Sequence, residues 1–212
     1  MKRHIGQYAV TVGATGLLTF LLLTSVGDKR GGRVSQAWGQ ISDVPSLVTT
    51  PQNVIQAWPE MPKKVAGVIV EKYGQPNHFN NESLVWYGNG PWKRTVVYRD
   101  GWLDQASIRH AEVLQQVITY SVPNDKVKDL SRYDERLVID GPRQELSFVS
   151  DSEKTNFLAI NMADEVVSLW KTVEQARAFA AKTARLSEAG KKSVYTDGFR
   201  FKVENDLTPI QD

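Results

Sequence analysis

The chain contains no cysteine. That excludes disulfides, thiolate metal sites, a cysteine nucleophile and a lipidated cysteine anchor. It suits an oxidising compartment without demanding one. Histidine is scarce: His4, His78 and His110 are the three present. A zinc site takes three or four ligands at recognisable spacing, and His110 with Glu112 and Asp104 is the nearest approach, so no metal or cofactor is expected. The glycine-rich phosphate loop and the dinucleotide fingerprint are missing, as is the Gly-x-Ser-x-Gly nucleophile turn. Excess charge is missing too. The 26 Lys and Arg against 24 Asp and Glu leave +2. Lys2 and Arg3 account for all of it, so the rest of the chain is balanced at 24 against 24. Nucleic-acid binders carry a clear basic excess, and no nucleic-acid partner is expected.

One long apolar run is present, from Ile5 to Val26, without a charge. Lys2, Arg3 and His4 precede it; Asp28, Lys29 and Arg30 close it. About 20 mostly apolar residues suffice for a membrane-spanning helix. The expectation is an N-terminal membrane anchor or signal segment over residues 1–27, with the lipid bilayer as partner through residues 5–26. A cleaved signal peptide is the rival, since it shares the basic start and apolar centre, and Ser25 with Gly27 offers a cleavage pair. The flanks hardly choose a side: Lys2 and Arg3 face Lys29, Arg30 and Arg33. The signal-like shape favours export, which places the soluble part outside the cytoplasm, in a periplasmic or cell-surface position.

Residues 28–58 read as a tether, broken by Gly31, Gly32, Pro45 and Pro51. Trp38 and Trp58 stand apart in it, and Trp58 is expected to dock on the fold. Residues 59–203 read as a single domain, and 204–212 as a tail. A helix is expected over Pro62 to Tyr73, stopped by Gly74 and Pro76. A hairpin joins Ser83–Tyr87 to Lys93–Arg99 through Gly88 to Trp92. Val113, Leu114, Val117 and Ile118 suggest a helix over Arg109 to Tyr120, followed by a short one from Asn124 to Arg132. A second hairpin pairs Arg136–Asp140 with Gln144–Val149. Two helices follow, with capping-box spacings at Ser150/Glu153 and Thr172/Gln175. Asp197-Gly198 predicts a last hairpin between Ser193–Thr196 and Phe199–Val203. Hairpins interleaved with helices imply an α+β fold: an antiparallel sheet built from hairpins with helices packed on one face, preceded by one N-terminal transmembrane helix.

Three short motifs, Lys72-Tyr73-Gly74-Gln75-Pro76, Leu84-Val85-Trp86 and Gly90-Pro91-Trp92-Lys93-Arg94, carry a family resemblance. With Tyr120-Ser121-Val122-Pro123 and the run from Asn156 to Asn161, they resemble an uncharacterised bacterial family of unknown function whose members often follow an export or anchor segment. The resemblance spans roughly Trp58 to Ala189. It implies a bacterial source and one domain, and brings no activity.

The candidate ligand-binding residues are His78, Trp86, Trp92, Lys93 and Arg94, with Asn77, Asn80 and Asn81 on the approach. Aromatic faces beside two cations and several amides suit a polar ligand, a carboxylate or a glycan. The same residues also fit a plain hairpin with one core tryptophan and solvated cations. Three functions follow. The first is a membrane-tethered module that binds a protein or small polar ligand outside the cytoplasm. The second is an envelope hydrolase using His78 or His110 with carboxylates, and the third a structural subunit of an envelope assembly. No catalytic motif supports an enzyme.

Overall fold

The computed structural model describes residues 50–101 and 112–203. The expected membrane span, most of the tether, Asp104, His110 and the C-terminal tail lie outside them. Among the described residues no helix is long and apolar enough to cross a membrane.

The chain enters through α1 (Pro51–Gln56) and α2 (Glu60–Tyr73), then lays down β1 (His78–Phe79), β2 (Ser83–Asn89), β3 (Trp92–Tyr98) and β4 (Leu114–Thr119). A 3₁₀ turn at Asn124–Lys126 leads into α3 (Val127–Tyr133), β5 (Leu137–Asp140) and β6 (Glu145–Ser150). Then come α4 (Glu153–Val167), α5 (Val173–Glu188) and the one-turn α6 (Val194–Asp197). The six strands form one antiparallel sheet in the order β1-β2-β3-β4-β6-β5. The α+β class and the antiparallel sheet are as expected.

Cross-strand partners share a face of the sheet. The register aligns Leu84 with Val97 and Leu114, and Trp86 with Thr95, Gln116 and Phe148. Those rows meet the helices in two apolar clusters. One joins α1 and α2 to Leu84, Trp86, Val97 and Leu114. The other joins α3, α4 and α5 to Ile118, Leu146 and Phe148. Tyr73 packs against both. Val96, Val117 and Val149, on the opposite face, belong to neither cluster though they too are buried. Trp58 docks as expected, buried with its indole N–H donating to Asn81 O at 3.1 Å. Residues 51–56, read as tether, instead form α1, whose Val54 and Ile55 are buried.

Three local expectations are corrected. The helix expected to end at Tyr120 is replaced over its described part by β4, a central strand between β3 and β6. It is buried on both faces, so Val117 and Ile118 are both enclosed. Burial on two faces erases the alternation that marks a strand. The last hairpin is replaced by α6 and an unpaired segment. The Asn161 amide donates to Tyr195 O at 3.0 Å and Gly198 O at 2.8 Å, and its carbonyl accepts from Arg200 N at 2.7 Å. A side chain thus satisfies backbone groups that a hairpin ladder would have used. The first capping box shifts as well. Ser152 is the cap, accepting from Thr155 N, while Ser150 ends β6. The second forms as expected, with Thr172 and Gln175 reciprocally bonded.

Candidate functional site

The hairpin of β2 and β3 sorts the expected site residues onto different surfaces. Trp86 is 2% exposed and donates its indole N–H to Gly74 O at 2.9 Å. Trp92 is wholly buried against Phe157 and Phe199, with ring centroids 4.7 and 4.9 Å away. Strict alternation from Thr95 would place Trp92 on the far face. Gly88, at φ 56°, lies where that alternation slips, and Asn89 and Trp92 turn to the helix side. Lys93 and Arg94 both pair with the buried Glu145, at 3.1 and 2.9 Å. Burial pushes the Glu145 carboxyl up, and the hydrogen bonds from Arg94 and Lys93 more than reverse this, holding it below the usual range. His78 is exposed on the edge strand, its ring edge-on to Tyr87 at 5.7 Å. The structure therefore brings Lys93 and Arg94 together, and His78 to Tyr87, but takes both tryptophans inside. Asn77 and Asn80 bond backbone amides of the hairpin and shape its entry.

The densest polar constellation centres on Glu153, the first residue of α4. Its side chain is 13% exposed. One carboxylate oxygen accepts from Tyr73 Oη at 2.6 Å, Trp92 Nε1 at 2.7 Å and Gln116 Nε2 at 3.1 Å. Lys72 Nζ pairs with the other. Burial raises the Glu153 pKa, but the bonds from Lys72, Tyr73, Trp92 and Gln116 outweigh it, and the group sits below the ordinary glutamate value. Burial also pushes the Tyr73 hydroxyl up, and the carboxylate it donates to adds to the shift. With donors from Lys72, Tyr73, Trp92 and Gln116 on it, the carboxylate locks α2, β3, β4 and α4 together. Gln116 extends the network, accepting from Asn156 Nδ2 at 2.9 Å, and the Asn156 Oδ1 accepts in turn from Ser150 Oγ at 2.6 Å. Sequence reasoning missed Glu153 by treating it as a cap, and Gln116 by assigning it to a helix. The signal for Gln116 was a polar pair, Gln115-Gln116, inside an apolar run.

A cleft of about 700 Å³ opens where α3, α4 and α5 approach β5 and β6. Phe148, Leu158 and Ala159 form an apolar floor, and Ala180, Ala181 and Ala184 give α5 a wall of small side chains. Arg136 lies across Phe148, its guanidinium 4.7 Å from the ring centroid. Asp134 holds it in a two-bond fork at 2.9 and 2.7 Å, and Glu112 flanks it at 3.6 Å. Arg132 and Arg177 stand at the rim; Arg132 pairs with Glu174 at 3.0 Å. Nothing in the sequence points to this site, because its residues come from five elements and two loops.

Among the described residues no group of three His, Asp or Glu side chains is placed to hold a metal ion. Comparison with protein-family models, with curated proteins and with solved structures finds no match to the chain.

Proposed function

We propose that this chain is a membrane-tethered binding module, its apolar segment at residues 5–26 holding a soluble domain outside the cytoplasm, and that the cleft between α3, α4 and α5 receives the ligand. One observation carries the reading: a cleft of about 700 Å³ that joins an apolar floor to an arginine-bearing rim. Small-molecule and peptide-side-chain sites commonly have this volume and this mixture, with apolar walls for affinity and a few fixed polar groups for orientation. Arg136 is held by Asp134 and Phe148, so it presents a preset surface at low entropic cost. Arg177 is exposed on the same lining, where its charge also acts on Glu174. The ligand class that fits is a segment of a protein partner with an apolar side chain followed by a carboxylate.

A photoreactive residue placed at Ala181 in the full chain, crosslinked in native membranes, should yield a discrete partner adduct. Arg177→Glu should weaken that adduct several-fold without changing the level of folded protein. An adduct only from a probe at Tyr87, beside His78, would move the site to the hairpin and sink the cleft reading.

A further inference from the structure

The end of α4 carries a feature that packing does not explain. The helix stops with the left-handed turn usual at helix ends: Ser168 N bonds Asp164 O at 2.8 Å and Trp170 N bonds Glu165 O at 2.9 Å. Glycine normally fills the left-handed position because it has no Cβ to strain. Here Leu169 fills it, at φ 62°. Its side chain is 75% exposed, and the following Trp170 is 81% exposed. The fold thus accepts backbone strain to hold two large apolar side chains in solvent, and strain of this kind clusters where a surface is used.

The surroundings are anchored. Lys171 pairs with Glu165 at 2.8 Å and lies over the Phe179 ring. Tyr195 donates to Glu165 at 2.8 Å and packs on Phe179, with centroids 4.9 Å apart. Arg200 acts on the same Tyr195 hydroxyl. Glu165 and Lys171 therefore neutralise each other at this corner.

We propose that the Leu169–Trp170 tip is a wedge that enters the headgroup region of a phospholipid bilayer. Leucine suits the acyl boundary and tryptophan the interface. A protein partner fits less well, because a stable interface takes about 800 Å² from each side, more than two side chains on a convex turn offer. The inference rests on the membrane-tethered reading. Residues 27–49, 23 in number, span at most about 3.5 Å each. So an anchored chain keeps the domain close to lipid, and a weak wedge is enough to orient it.

The chain has no cysteine, so Ser168→Cys places a single nitroxide beside the tip of the full-length protein. The protein is reconstituted in vesicles of equal parts phosphatidylcholine and phosphatidylglycerol. Flotation reports the tether; spin relaxation by oxygen and by a water-soluble nickel chelate reports the tip. The expected result is flotation with a several-fold fall in nickel accessibility and a rise in oxygen accessibility. Adding Leu169→Gly and Trp170→Ser should return the label to water while flotation persists. A floating protein whose label stays fully open to nickel overturns the wedge and leaves the tether intact. A label shielded from both reagents, with spin–spin broadening, overturns it in favour of a second copy. Failure to float removes the tether and the wedge together.

Discussion

Glu153 shows how one side chain sets a network. Its removal strands Tyr73 Oη, Trp92 Nε1 and Gln116 Nε2 and leaves Lys72 without its partner. Glu153→Ala should cost about 3 kcal/mol in urea denaturation, because buried donors left unpaired forfeit their desolvation energy. Glu153→Gln should cost less, since an amide oxygen still accepts. The pH dependence follows from the direction of the shifts. Glu153 and Glu145 both lie below their unfolded values. Their contribution is complete above the ordinary glutamate pKa of about 4.3 and is lost as pH falls through the lower folded values. Asp164 behaves oppositely. Burial raises its pKa, and the neighbouring Glu165 adds to the rise despite the Tyr120 hydrogen bond. Its contribution is present at low pH and lost as pH rises through the folded value. Asp164→Asn should therefore raise the melting temperature modestly at pH 7, since Tyr120 can still donate to the amide oxygen. A lower melting temperature there would contradict that assignment.

Turns and caps decide the elements. Gly90 sits at φ 64°, and a Cβ there would meet Tyr73 Cε1 at 2.9 Å. Gly90→Ala should destabilise by about 1–2 kcal/mol from the left-handed strain alone, with further loss as Tyr73 is pushed from Glu153. Leu169→Gly should do the reverse, gaining about 0.5–1 kcal/mol once the relieved strain is set against the freer unfolded chain. Thermal melting of the two variants checks both signs. Elements whose boundaries are written in local chemistry were legible beforehand. The Thr172/Gln175 cap, the proline and glycine limits of α2 and the two hairpins of β2–β3 and β5–β6 appear within a few residues of their expected places. β4 was not legible, because a strand enclosed on both faces places apolar residues side by side and buries Gln115 and Gln116 among them. The candidate site was less legible still. Trp92 is turned inward while Lys93 and Arg94 pair with Glu145, a separation that adjacency in sequence conceals. The cleft depends on helices meeting at a distance.

At the scale of the whole molecule the domain is two apolar clusters joined by a polar seam, Ser150–Asn156–Gln116–Glu153. Deleting residues 5–26 should leave the domain folded by circular dichroism and abolish flotation with vesicles. Persistent flotation would transfer membrane binding to the domain itself. The Asn161 clamp has a consequence on the time axis. Arg200 N belongs to no helix or ladder, yet its hydrogen bond ends on a buried amide. Its proton should exchange with deuterated solvent as slowly as those of the flanking helices, an island of protection inside an irregular segment. Asn161→Ala should make that exchange fast while leaving the β4 amides slow. The final stretch of the domain would then open as a unit of its own, well before the sheet gives way.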